Sequence, residues 1–208
     1  MTVKATRAAQ LAPTPIFFIR HGQTDWNAEG RMQGQQDIPL NEKGRGQARR
    51  NGQALKAYLE EHNLKPEDLT FMCSPLIRTR ETMDLVREEM GLEAGDYKLD
   101  DRLKEITFGS LEGKTLAEID EEAPHLGEAR KADKWGFVPP EGESYKMLSL
   151  RIEGWLMTLS KPLVVVSHGG VMRVLRGLLL DYPSDEIPVL NVPQDEIFLW
   201  KDMQENWI

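Results

Sequence analysis

Ile16-Phe17-Phe18-Ile19-Arg20-His21-Gly22-Gln23-Thr24 is the stretch that decides how this chain is read. Four bulky apolar residues, too few for a helix of their own, read as a buried strand. Arg20 and His21 follow at its C-terminal end, where open α/β sheets hold their ligands. Gly22 removes a side chain where the backbone is expected to come close to a bound group. Arginine presents a planar fork that matches phosphate oxygens. An unprotonated histidine ring nitrogen is a nucleophile. Together they suggest phosphoryl chemistry. A single Arg-His pair at a strand end is more often merely solvated, so the reading rests on the rest of the chain.

The same pattern returns at Leu163-Val164-Val165-Val166-Ser167-His168-Gly169-Gly170. A helix is predicted from near Val171, with Val171, Val174, Leu175, Leu178 and Leu179 on one face. His168 then stands just before a helix N-terminus, a natural anion site. A lone histidine there is more often structural. Two His-Gly steps at two strand ends are much less easily accidental.

Between these strands the chain alternates helix and strand signals. Asp25 to Asn27 and Arg31 to Leu40, rich in amides and turn residues, read as a loop over the first strand end. Asn27 and Gln33 can donate side-chain N–H groups to phosphate oxygens; loop capping accounts equally well for either alone. Asn41 is a helix N-cap, and Leu55, Tyr58, Leu59 and His62 share one face of a helix over roughly Gly44 to Glu61. His62 reads as a surface residue that offsets the helix dipole. Leu69 to Ser74 reads as a second strand closed by Pro75, with Cys73 a small buried apolar residue. A helix is predicted from Ser74 or Pro75, with Arg78 and Arg80 in its first turns. Arginine there opposes the helix dipole unless an anion binds nearby. Arg78 is therefore a second phosphate-clamp candidate; the alternative is a salt bridge to Glu81 or Glu105.

Tyr97 to Leu99 reads as a short third strand, and Leu103 to Gly113 as a tight, glycine-shaped loop. Glu105 on that loop can point into the same cleft. A carboxyl beside a dianionic phosphate keeps its proton nearer neutrality through like charge, which suits a general acid. A solvated glutamate is the alternative. Gly109 to Thr115 imitates a phosphate-binding loop but is one residue short between its glycines. Thr115 to Glu118 is better read as a capping box opening a short helix. The polar segment that follows carries Pro124, Pro139 and Pro140 and reads as a lid, within an insertion covering about 106–143. Two readings of it stand open. Trp135 and Phe137 can face an apolar leaving group, or Arg130, Lys131 and Lys134 a second anionic group. Ser144 to Leu159 is predicted helical, with Tyr145, Leu148, Ile152, Trp155, Leu156 and Leu159 as its apolar stripe. Pro188 to Trp200 reads as two short strands joined at Gln194-Asp195, an edge that allows a homodimer.

Composition bounds these readings. The 208 residues suit one domain over 16–208, preceded by a flexible tail over 1–15. That tail holds Lys4 and Arg7 and is too polar for a secretory core; a mitochondrial-type segment is the minor alternative. With 40% apolar and 29% charged residues, the chain is ordinary for a globular protein. A net charge of −8 argues against nucleic-acid and anionic-membrane partners. The single cysteine excludes an internal disulfide and fits a reducing, cytoplasmic setting. No His/Cys cluster has zinc spacing, so no metal or other cofactor is expected.

Taken together, these motifs resemble the histidine phosphatase superfamily, in the branch that includes the cofactor-dependent phosphoglycerate mutases. Arg20 to Thr24 meet its R-H-G-[EQ]-T signature. Asn27 to Leu40 meet N-x-x-x-R-x-Q-G-x-x-D-x-P-L, and Ser74 to Thr82 meet S-P-L-x-R-[AT]-x-x-T. Leu103 to Gly113 meet L-x-E-x-x-F-G-x-x-E-G, and Ser167 to Gly170 meet S-H-G-G. Five motifs in order are far more specific than the first alone. The resemblance implies a three-layer α/β/α sandwich with a mostly parallel sheet and a small lid. It also implies that His21 is the nucleophile and that Arg20, Arg78 and His168 clamp the phosphoryl oxygens. Glu105 would be the acid and base, and Asn27, Gln33 and the backbone at Gly169 would complete the pocket. Leu111 departs from the pattern, since many members carry tryptophan there.

Three functions are weighed: a phosphatase acting on a small phosphomonoester, a mutase, and a binding protein without turnover. Mutase-type members read H-G-N at the second histidine and carry a longer insertion. Gly170 and the short chain therefore favour the phosphatase. The intact catalytic positions disfavour the third.

Overall fold

The computed structural model describes residues 14–208. The tail expected over 1–15 thus lies outside the described residues up to 13. Its last two residues are tied down: Thr14 Oγ1 donates to the Lys161 carbonyl, and the Pro15 carbonyl accepts from Leu163 N–H.

β-Branched and aromatic residues build six strands: β1 (Ile16–Arg20), β2 (Thr70–Cys73), β3 (Lys98–Leu99), β4 (Leu163–Ser167), β5 (Ile197–Lys201) and β6 (Gln204–Trp207). They form one sheet in the order β3-β2-β4-β1-β5-β6. The first four are parallel; β5 and β6 add an antiparallel edge. Seven α-helices flank or overhang it: α1 (Asp25–Glu29), α2 (Glu42–Glu61), α3 (Ile77–Glu89), α4 (Leu116–Glu122), α5 (Pro124–Ala132), α6 (Tyr145–Leu156) and α7 (Gly169–Leu180).

Strand alternation explains the layers. Ile16, Phe18, Leu163, Val165, Phe198 and Trp200 point to one face and pack with α6 and α7 around the fully buried Trp155. Phe17, Ile19, Val164, Val166, Ile197 and Leu199 point to the other, against Leu55 and Leu59 of α2 and Met83 and Val86 of α3. Each such side chain removed from water contributes about 1.5–3 kcal/mol, so the central strands are held from both sides. The fold is the three-layer α/β/α sandwich that the motif pattern implies, with the helical segment α4–α5 set over one end.

Five local expectations are corrected. Asp25 to Asn27, expected in a loop, lie in the short helix α1, which a capping box between Thr24 and Asn27 opens. α3 begins at Ile77, not at Ser74 or Pro75. Ser74 N–H still serves the sheet through the Val166 carbonyl, and Asp37 Oδ1 from the facing loop caps Ile77 N–H at 2.6 Å. α7 begins at Gly169, two residues before Val171. The C-terminal strands lie later than expected, joined at Asp202-Met203, where both residues adopt positive φ (52° and 60°). Residues 188–196 instead form a loop folded over the sheet end. Finally, Gly22 makes room for the protein itself: a Cβ there would strike the carbonyl of Gly44, and one at Gly44 would strike that of Gln23. This backbone-to-backbone contact seats the start of α2 against the end of β1.

Helical glycine replaced by alanine ordinarily stabilises. Gly154→Ala in α6, with nothing within 4 Å of the added carbon, is expected to raise stability by up to about 1 kcal/mol. Gly44→Ala is expected to lower it by about 1–3 kcal/mol, because the carbon lands on backbone that has no rotamer to yield. Urea denaturation of the two variants tests the sign reversal.

Candidate active site

Parallel register brings the polar strand ends to one level. Arg20 pairs with Ser167 and Cys73 with Val166, so His21, His168 and Ser74 emerge side by side at the C-terminal edge. The two imidazole centroids are 5.2 Å apart. His21 opens on a cleft of about 260 Å³, which Arg20, His21, Asn27, Gln33, Arg78, Glu105 and Gly169 all line. His168 does not line it; its fully buried ring lies edge-on to that of His21. The candidate residues scattered from Arg20 to Gly169 in sequence thus share one site.

His21 is buried, and its Nδ1 lies 2.7 Å from the carbonyl of Gly22. A carbonyl only accepts, so Nδ1 carries the proton and Nε2 keeps its lone pair. Burial, with Arg78 and Arg20 adding like charge, holds the ring's pKa well below its ordinary value. His168 is driven down the same way, by burial first and then by Arg78, His21 and Arg20. Its Nε2 lies 2.8 Å from Ser74 Oγ, and its buried Nδ1 has no partner.

The two arginines are held without being neutralised. Arg78 is fully buried and donates to the carbonyls of Gly34 (2.8 Å) and Gln36 (2.7 Å). Arg20 donates to the Val192 carbonyl at 2.7 Å. The Nε of each remains buried and unpartnered. Burial pulls both pKa values down to about 10, so both stay charged at neutral pH. The alternative reading of Arg78, as a surface salt bridge, is excluded by this burial; Glu81 instead pairs with Arg45. Glu105 places Oε2 3.0 Å from Gly170 N at the start of α7 and Oε1 3.0 Å from its neighbour Ile106 N. Gln33 Oε1 is buried and unpartnered. Asn27 belongs to the capping box of α1 and also accepts from Gln194 Nε2 at 3.2 Å.

Several residues in or beside the cleft went unrecognised in the sequence. Arg173 sits one turn into α7 and donates Nε to the Leu190 carbonyl at 2.9 Å. Tyr145, counted above as core, presents its buried hydroxyl toward the cleft, and burial raises its pKa. Gln194 donates to the carbonyl of His21 at 3.0 Å. Of these, only Arg173 gave a signal, as one of two arginines on a mainly apolar helix. On the overhanging segment the two open readings separate. Trp135 packs on the main core and Phe137 on a small cluster with Met32, Leu111 and Ile119; neither lines the cleft. Arg130 and Lys134 do line it, whereas Lys131 pairs outward with Asp120. Burial, reinforced by Arg130 and Arg173, brings the Lys134 pKa down to about 8. Among the described residues no group of three or more His, Cys, Asp or Glu is placed to hold a metal, and no helix is long and apolar enough to cross a membrane.

Comparison with known proteins agrees with this geometry. The model of the histidine phosphatase superfamily (branch 1) matches residues 16–200. The 6-phosphofructo-2-kinase/fructose-2,6-bisphosphatase of Caenorhabditis elegans is 32% identical over 185 residues, 88% of this chain and 38% of that protein. The chain thus spans well under half of that relative. The Cronobacter sakazakii protein named Probable phosphoglycerate mutase GpmB is 35% identical over 179 residues, 81% of this chain and 76% of its own length. The native structure of a mycobacterial glucosyl-3-phosphoglycerate phosphatase superposes with a TM-score of 0.73 at 31% identity, covering 89% of both chains.

The depressed histidines make stability depend on pH with a definite sign. Unfolded histidine protonates near 6.5, and these two do so only well below it when folded. Their contribution is complete above about pH 6.5 and is lost as pH falls below it, by up to about 1.4 kcal/mol per unit for each ring. Urea midpoints between pH 7 and 5 should therefore fall steeply in the parent and about half as steeply from this source in His168→Gln.

Proposed function

Because the chain belongs to the histidine phosphatase superfamily (branch 1), we propose that it is a phosphohydrolase that works through a phosphohistidine and takes a small phosphomonoester. The observation that carries this reading is the accessible lone pair on His21 Nε2, set among buried cations that no carboxylate neutralises. Nε2 attacks phosphorus as the ester P–O bond breaks. Arg20, Arg78 and an N–H of His168 stabilise charge on the phosphoryl oxygens, and Glu105 gives its proton to the departing oxygen. The Glu105 carboxylate then takes a proton from water, whose oxygen attacks phosphorus and breaks the P–N bond. Inorganic phosphate leaves and the imidazole is restored. The positive side chains supply the charge stabilisation, so turnover is proposed to be metal-independent.

The far wall of the cleft narrows the substrate class. Arg130, Lys134 and Arg173 line it, and among the described residues none of the three has an ion-pair partner. Three cations in mutual repulsion suit a substrate with a second anionic group, and the name fructose-2,6-bisphosphatase denotes one with two phosphates. Phosphoryl transfer back to an intermediate is the second reading, supported by the mutase name among the relatives. The geometry at Gly170 speaks against it: a Cβ there would collide with the Glu105 carboxylate, so asparagine at this position would displace the acid.

Phosphate release from a panel of monoesters with chelator present tests the reading. Metal-independent release that vanishes in His21→Ala is expected; release at parental rate in that variant would overturn the nucleophile assignment. Glu105→Gln should slow poor leaving groups far more than nitrophenolate. An acid-labile phosphoenzyme without phosphate release would indicate a mutase. For substrates with a second anion, kcat/KM should fall as pH rises through about 8, where Lys134 loses its charge. Lys134→Arg should move that limb to higher pH.

A further inference from the structure

Ser74 has no task in the mechanism above, yet among the described residues it makes the one hydrogen bond to the ring of the second histidine. It closes the edge of β2, is fully buried, and its Oγ lies 2.8 Å from His168 Nε2. It has no other side-chain contact of this kind, since its backbone carbonyl, not its hydroxyl, receives Thr79 Oγ1. We propose that Ser74 is a positioning residue that donates its hydroxyl proton to His168 Nε2 and thereby fixes the tautomer in which His168 Nδ1 donates to the phosphoryl group. The role in turnover rests on the phosphohydrolase reading; the tautomer does not.

Two proton arrangements are available to the pair. In one, Nε2–H donates to the serine oxygen. The serine proton then has no acceptor in a buried place, and Nδ1 keeps a lone pair, which would repel a phosphoryl oxygen. In the other, Ser74 O–H donates to Nε2, and Nδ1–H is left without a protein acceptor. An unmade buried hydrogen bond costs about 1–3 kcal/mol; each arrangement leaves one buried donor unpaired in the free protein, but only in the second can a phosphoryl oxygen supply the missing acceptor. The ring's depressed basicity fits this role, because a neutral imidazole has a single proton and therefore a direction to be set. The two histidines of the site are thereby oriented in opposite senses. A backbone carbonyl frees the lone pair of His21 for attack, and a hydroxyl frees the N–H of His168 for donation.

Nitrogen-15 NMR of the full chain reads the tautomer directly, and inorganic phosphate serves as probe. In the parent, His168 is expected to carry its proton on Nδ1 and to bind phosphate through it. Ser74→Ala should give mixed tautomers and about tenfold weaker phosphate binding. Its kcat should be about tenfold lower with a smaller change in KM, and Ser74→Thr should recover much of this. A proton on Nε2 in the parent overturns the proposal, and that result needs no variant to fold. An unchanged tautomer in a folded Ser74→Ala protein overturns it too. If no ester is hydrolysed by the parent, the phosphohydrolase reading fails, while the tautomer and phosphate binding still decide the role of Ser74.

Discussion

Two guanidinium groups buried against backbone carbonyls are the constraint on which the rest of this structure depends. A buried charge is costly unless its donors are satisfied, and the usual partner, a carboxylate, would cancel the field it creates. Here Gly34, Gln36 and Val192 supply carbonyl oxygens instead. Their dipoles take up part of the N–H groups, with Nε of each arginine left unpaired, and leave the net charge in place. The arrangement ties two loops to the sheet end, residues 33–40 over one side and 188–196 over the other. The arginines stay charged because loops, not acids, hold them.

The same economy recurs farther out. Arg173 is held by the Leu190 carbonyl and Lys134 by that of Pro188, so the loop that secures Arg20 also aims the cations of the far wall. Glu112 does the opposite duty. Its carboxylate gathers N–H and O–H donors from Gln35, Gln36, Thr107 and Phe108, binding the loop that holds Arg78 to the base of the overhanging segment.

Much of what contiguous residues encode was legible in the chain, although the capping box of α1 at Thr24 and Asn27 was passed over. The apolar run before Arg20-His21, its counterpart before Ser167-His168, and the caps at Asn41 and Thr115 are local signals, and each element lies where they put it. Groups whose meaning depends on a distant backbone atom were not legible. No side-chain pattern announces that the Val192 carbonyl serves Arg20, or that Gly22 exists to admit Gly44. Tyr145 satisfied a helical stripe and was absorbed by it. The C-terminal hairpin was misplaced because Asp202 and Met203 adopt a left-handed turn without glycine, while Pro188 and Pro193 lie in what proved to be a loop. The resemblance to a family supplied the roles; the register of three parallel strands explains why the side chains meet.

The strand order has a consequence for how the protein comes into being. β1 leads directly into His21 and lies near the middle of the sheet, yet it is the first of the six described strands to be made. Its neighbours are β4 and β5, with Ile16 facing both Leu163 and Trp200. No segment that emerges from the ribosome soon after β1 can pair with either of its edges. The strand must stay unsatisfied until β4 and β5 have been synthesised. Such long-range closure is slow and leaves an apolar edge open to misassembly. Juxtaposition of His21 with His168 and completion of the sheet therefore arrive together, and a chain cut short before β5 would expose one edge of the strand that leads into His21.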